Sequence, residues 1–154
     1  MTQKKIEAVQ LDMWDYFTPT IPDEAIKEIE RDMWMMNATP LDMVKEFSLS
    51  MDQPLGKEWS RMSELETLRF NLIAEEYEEV MSGKTEENVL KELADLVYVT
   101  YGYAATFGWN LDEAVRRVHE SNMSKLVEGK PLKRADGKVL KPTHYKPPVL
   151  DDLV

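Results

Sequence analysis

Two groups of acids stand out by type and spacing. Glu75-Glu76-x-x-Glu79, within "NLIAEEYEEV", precedes Glu92-x-x-Asp95, within "KELADL", by twelve residues. Carboxylates can move protons, ligate hard cations or simply carry solvated charge. Helix geometry helps to separate these uses, because side chains advance about 100° per residue. With Glu75 at zero, Leu65, Leu68, Leu72, Ile73 and Val80 fall between about 20° and 160°. Glu79 near 40° and Glu76 near 100° point into that apolar sector, whereas Glu75 is at its edge and Glu78 lies roughly 60° off the other side.

The second group repeats the anomaly. "KELADLVYVTYGYAATF" is apolar around most of its circumference, yet Glu92 and Asp95 interrupt it at i, i+3, which puts both on one side. Asp is a poor residue inside a helix, and a buried unpaired carboxylate is costly, so such a group is normally paired or metal-bound. Four carboxylates around one point cannot all ionise without cations. One reading is a solvated acidic face, with the second pair neutralised by Arg61, Arg69, Arg116 or Arg117. Both pairs taken together favour a cation site. The chain has no Cys, and neither His follows a Glu by three residues, so oxygen ligands and Mg²⁺ or Mn²⁺ are expected. Two divalent ions would balance the four acids, and such ions bind phosphates.

The elements that must position these acids read as six helical segments and an irregular tail. They span about Lys4–Phe17, Asp23–Asn37, Leu41–Met51, a stretch from the Ser63-x-x-Glu66 capping pattern to Gly83, a stretch from after Thr85 to Phe107, and one from Asn110 to before Gly129. "MWMM" at the end of the second exceeds one helix face and predicts cover on two sides. In the sixth, Leu111, Val115 and Val118 form an apolar stripe. Asn122 continues it, with Lys125 one turn further, an arrangement suited to a nucleotide or phosphate. The competing reading is a helix-end amide and a snorkelling lysine. "RADGKVL" predicts a small hairpin around Asp136-Gly137. Strand signals are otherwise weak, so the expected class is all-α.

At 154 residues the chain suits one domain: a helical extension over 1–40, a catalytic helical core over 41–127 and a basic tail over 128–154. The net charge of −10 argues against general nucleic-acid binding. Between 130 and 146, six Lys/Arg and His144 face a single acid, Asp136, so one molecule could hold both cations and a polyphosphate. The N-terminus has no apolar signal region, Leu96–Trp109 is too short to cross a bilayer, and the lack of Cys suits a reducing cytoplasm. A cytoplasmic protein without a membrane partner is expected.

Glu75-Glu76-x-x-Glu79 and Glu92-x-x-Asp95 with their short spacer resemble the EExxE…ExxD pattern of the MazG-like, all-α NTP pyrophosphohydrolases. "FGWNLDEAVRRVHESNMSKL" and "DGKVLKPTHYKPPVL" extend the resemblance over roughly Met43 to Leu150. It implies Mg²⁺-dependent cleavage of a nucleoside triphosphate to monophosphate and pyrophosphate. Glu76, Glu79, Glu92 and Asp95 would then be metal ligands, and Glu75 would bind a second ion or orient the attacking water. Asn122 and Lys125 would contact sugar or phosphate, with Lys138, Lys141 and Tyr145 added from the tail. The family implies a homodimer or homotetramer, for which residues 1–40 have no counterpart in the small core. An alarmone phosphohydrolase and a non-enzymatic acidic interaction protein are the alternatives.

Overall fold

A computed structural model describes residues 22–154; the first expected helix, Lys4–Phe17, lies outside them. The chain divides between Asn37 and Ala38, and the two units are taken separately. The first contributes α1, Asp23–Asn37. Asp23 and Glu24 sit in its first turn, where the helix dipole favours negative charge. At its end the Asn37 side chain donates to Met33 O at 2.6 Å. Arg31 lies over the Trp34 ring at 4.6 Å, while Met33, Met35 and Met36 are exposed, so among the described residues the expected two-sided cover of "MWMM" is not observed.

The second unit holds α2 (Pro40–Ser50), α3 (Glu64–Ser82), α4 (Glu86–Phe107) and α5 (Leu111–Met123). Its short strands β1 (Leu126–Val127) and β2 (Lys130–Pro131) pair antiparallel, and a 3-10 turn, Asp151–Leu153, comes near the end. The class is all-α. Three residues separate α3 from α4, and the two pack antiparallel, with Gly83 near Val89 at one end and Glu66 bonded to Tyr103 at the other. α2 packs on the second half of α4, where Leu41, Val44, Tyr101 and Ala105 form the core and Leu55 and Leu111 close it.

Local chemistry sets most helix ends. Thr39 caps α2 in both directions with Asp42, and Pro40 takes the first position, where no N–H is needed. Thr85 accepts from Asn88 N at 3.2 Å and starts α4. Gly108 ends it in the left-handed region at φ +78°, a conformation that costs glycine little. Ser63 accepts from Glu66 N at 3.2 Å, but the Glu66 carboxylate does not return to Ser63. It accepts instead from Met62 N at 3.2 Å, Arg61 Nη1 at 3.0 Å and Tyr103 Oη at 3.2 Å, tying the loop before α3 to α4. Glu66 is only 3% exposed.

The α3–α4 seam is polar along much of its length. Beyond Glu66, Arg69 is 6% exposed and its guanidinium donates to Gln53 Oε1 at 3.1 Å. Its Nε has no hydrogen-bond partner among the described residues, and burial lowers its pKa.

The sixth expected helix is shorter than the sequence pattern suggests. α5 stops at Met123, and Glu128 (φ +50°) and Gly129 (φ +76°) make the turn between β1 and β2 that follows it. Ser124, just past the helix, accepts from Lys146 N at 3.0 Å. Val115 and Val118 are exposed, so of the proposed stripe only Leu111 reaches the core. The hairpin around Asp136-Gly137 forms as expected, with Lys133 bridged to Val139 and Gly137 at φ +84°.

The end of the chain clasps α5. Arg117 Nη2 meets Asp152 Oδ2 at 2.8 Å, and Arg117 Nε meets Glu113 Oε1 at 2.7 Å. Arg116 and Arg117 together hold the Glu113 carboxyl down to about 2 from an ordinary 4.5. A lowered folded-state pKa stabilises above the unfolded value, and that contribution is lost as pH falls from about 4.5 through about 2. Glu113→Gln should therefore melt below wild type at pH 7, and the gap should close towards pH 2. Thermal melts followed by circular dichroism across that range check it; a gap independent of pH would exclude the pairing as its origin.

Candidate metal centre

The seam carries its acids where α3 ends and α4 begins. Glu76 from α3 and Glu92 and Asp95 from α4 each place one carboxylate oxygen within 4.8 Å of the others. Glu92 is 5% exposed, while Glu76 and Asp95 are half-buried. The i, i+3 spacing on α4 puts both of its acids towards α3, and the short α3–α4 connection sets the register that brings Glu76 opposite them.

The electrostatics are those of crowded anions. Burial, then Asp95 and Glu92, push the Glu76 carboxyl above its ordinary value. Glu79 lies within hydrogen-bonding reach of Glu92, and that contact and charge raise its pKa too. Glu92 goes the other way, lowered first by Lys91 and also by Glu79 and Asn88. Asn88 Nδ2 donates to Glu92 Oε1 at 2.8 Å. Lys91 Nζ donates to Glu92 Oε2 at 2.9 Å and to Asp95 Oδ2 at 2.8 Å.

Several expectations meet these facts differently. Glu76, Glu92 and Asp95 come together, and Glu79 joins them through Glu92. Glu79 is nonetheless exposed, although its helical angle falls in the apolar sector. That sector is itself incompletely covered: Leu68 is exposed, and Leu65, Leu72 and Ile73 are only half-buried. Glu75 and Glu78 are exposed, and the charge of Glu75 adds to the rise in the Glu76 pKa.

The arginines that could have neutralised the second pair are engaged elsewhere. Arg61 goes to Glu66, Arg69 to Gln53, and Arg116 and Arg117 to Glu113 and to Glu120 or Asp152. Among the described residues, the cation in contact is Lys91, which sequence reasoning passed over. Its signal was the i, i+4 spacing to Asp95 in "KELAD". Among the described residues, one ammonium against four carboxylates leaves a negative surplus. An all-oxygen donor set with that surplus fits Mg²⁺ or Mn²⁺, with Glu76, Glu79, Glu92 and Asp95 as the residues that would hold it.

A second group forms at the end of α5. Lys125 Nζ donates to Asn122 Oδ1 at 2.6 Å. Lys125 and Lys141 lie 5.8 and 4.8 Å from the Tyr145 ring centroid, and Ser121 Oγ donates to Tyr145 Oη at 3.1 Å. Asn122, Lys125, Lys141 and Tyr145 are thus brought together. Lys125 does not prolong a helix face as expected, since α5 has already ended. Lys138 stands apart, on the second hairpin, where its N–H bonds Asp136 Oδ1 at 3.2 Å.

The family model described as phosphoribosyl-ATP pyrophosphohydrolase matches residues 44–122, just over half of the chain. The chain belongs to that family. This places it in the MazG-like, all-α NTP pyrophosphohydrolase superfamily that the acid motifs resemble. The matched segment holds all of Glu75, Glu76, Glu79, Glu92 and Asp95 and closes on Asn122, leaving Lys125, Lys138, Lys141 and Tyr145 beyond it. Membership supports pyrophosphohydrolase chemistry on a nucleotide-like substrate and a divalent-metal requirement. No curated protein matches the sequence significantly. Among the described residues, no helix is long and apolar enough to cross a membrane.

Proposed function

We propose that the protein is a Mg²⁺-dependent nucleoside triphosphate pyrophosphohydrolase that cleaves an NTP or dNTP to its monophosphate and pyrophosphate. The observation that carries this reading is the convergence of Glu76, Glu92 and Asp95 within 4.8 Å, with Glu79 against Glu92. When bound, Mg²⁺ or Mn²⁺, as two ions for four acids, would offset charge on the pyrophosphate leaving group and lower the pKa of the attacking water. The chain's own acids do the rest. Glu92, buried and anchored by Asn88, fixes the ligand geometry. Glu79, exposed and with a raised pKa, is suited to accept the proton of the water, and Glu75 orients that water from the rim.

Asn122, Lys125, Lys141 and Tyr145 form a cationic cradle for sugar and phosphate, with Lys138 as an outlying charge. Deoxynucleotides and non-standard nucleotides are the proposed substrates, in a cytoplasmic role of pool control or sanitation. A homodimer or homotetramer is proposed as well. In its support, Leu68, Phe70, Tyr77 and Met81 of α3 and Leu90 and Val97 of α4 are all exposed in one chain. Neither nucleic acid nor membrane is a proposed partner.

The test is a product analysis with each common NTP and dNTP, phosphoribosyl-ATP and a guanosine tetraphosphate, in Mg²⁺ and then in EDTA. Monophosphate and pyrophosphate should appear with Mg²⁺ and vanish with EDTA. Diphosphate and phosphate would overturn the bond assignment. No turnover of any of them, with no metal-dependent stabilisation, would favour an acidic interaction protein.

A further inference from the structure

We infer that Lys91 is a built-in counter-ion of the acid cluster: its ammonium bridges Glu92 and Asp95 and competes with a divalent cation for the same oxygens. This rests on the cation-binding reading of the cluster given above. The contacts are Lys91 Nζ to Glu92 Oε2 at 2.9 Å and to Asp95 Oδ2 at 2.8 Å. Both carboxylates belong to the set that converges with Glu76.

The bridge is unusual in its reach. Adjacent residues on a helix do not face each other. The ammonium nonetheless reaches Glu92 as well as Asp95, so one cation is shared by both acids of α4. The partners also differ in freedom. The Lys91 side chain is 63% exposed and can swing into water without losing packing, whereas the Glu92 side chain is 7% exposed and has no such exit. Glu92 Oε1 is held separately by Asn88 Nδ2 at 2.8 Å. Departure of Lys91 would then free Glu92 Oε2 and Asp95 Oδ2 while Glu92 stays in position. An ammonium and a divalent cation repel at such distances, so the two cannot share these oxygens.

The full chain tests this with Mn²⁺ as the probe, titrated by isothermal calorimetry, and with thermal melts in EDTA and in Mn²⁺. Lys91→Met should bind Mn²⁺ about three- to tenfold more tightly than wild type, because two contacts of modest strength no longer oppose the ion. In EDTA it should melt lower than wild type, so its metal-induced rise in Tm should be larger. Lys91→Arg keeps the charge and should stay close to wild type. Lys84→Met, in the α3–α4 connection, removes a charge without touching the acids and should not tighten binding. Equal affinity in Lys91→Met and wild type would overturn the inference and leave the metal site standing, as would equal tightening by Lys84→Met. Weaker binding in Lys91→Met would overturn it by making Lys91 a supporter of the site. No Mn²⁺ binding by any variant would remove the inference and the site reading together.

Discussion

Asp95→Asn should lower Mg²⁺-dependent pyrophosphate release by on the order of a hundred- to a thousandfold, with the helical circular-dichroism spectrum retained. The substitution keeps the shape of the side chain and removes one negative oxygen from a point where three carboxylates meet within 4.8 Å. In metal-free protein its effect on stability should be small, because relief of the repulsion on Glu76 offsets the weakened contact with Lys91. Loss of activity without loss of fold is the signature of a ligand rather than of a structural acid. Glu79→Gln should follow the same pattern, since Glu79 reaches the group through Glu92. Glu78→Gln, exposed and on the other side of α3, is the matched control and should keep wild-type rates. Steady-state pyrophosphate release over a Mg²⁺ series provides the comparison. A fully active Asp95→Asn enzyme would remove Asp95 from the ligand set.

Glu66→Ala should show the reverse: a large loss of stability from an acid that takes no part in the cluster. Glu66 is 3% exposed and accepts from the Met62 N–H, the Arg61 guanidinium and the Tyr103 hydroxyl. Arg61 is mostly solvated and can turn to water, but the Tyr103 hydroxyl and the Met62 N–H lose their acceptor within the fold. Stranding such groups costs about 2–4 kcal/mol, a fall in Tm of about 5–15 °C for a chain of this size. Glu66→Gln should fall between the two, since its amide oxygen can still accept one of these bonds. Trp59 Nε1 donates to Tyr103 Oη at 3.1 Å, so its fluorescence offers a local probe of the same network. A Glu66→Ala protein as stable as wild type would mean that water replaces the carboxylate at no cost.

Much of this was legible in the sequence wherever the deciding chemistry is local. α1 covers the expected Asp23–Asn37, and α4 begins after Thr85 and ends at Phe107, because a threonine cap and a glycine able to take φ +78° act within a few residues. The acids on α4 were legible for the same reason, since i, i+3 spacing fixes a shared face whatever packs against it. What failed was decided at longer range. Helical angle gives the direction of Glu79 but not what covers it, and Glu79 proves exposed. α5 ends at Met123 because Ser124 and the residues after it bond to a tail some twenty positions on, a contact that no local pattern carries. Ion pairs were the least legible. Arg117 finds Asp152 thirty-five residues away, while Lys91, the cation at the acids, was close in sequence and hidden among ordinary helix-surface lysines.

The tail is fastened residue by residue. His144 Nε2 donates to Leu126 O at 2.9 Å, Tyr145 Oη is met by Ser121 Oγ, and Lys146 N is held by Ser124 Oγ. Lys125 and Lys141 both lie against the Tyr145 ring, so the fastened tail brings two ammonium groups to one place. The entropy of bringing a distant stretch of chain and its charges together is spent once, when the protein folds. If these lysines take a phosphate as proposed, it would meet charges already gathered by folding and would not have to order a loose tail around itself, so its binding would resemble docking more than ordering.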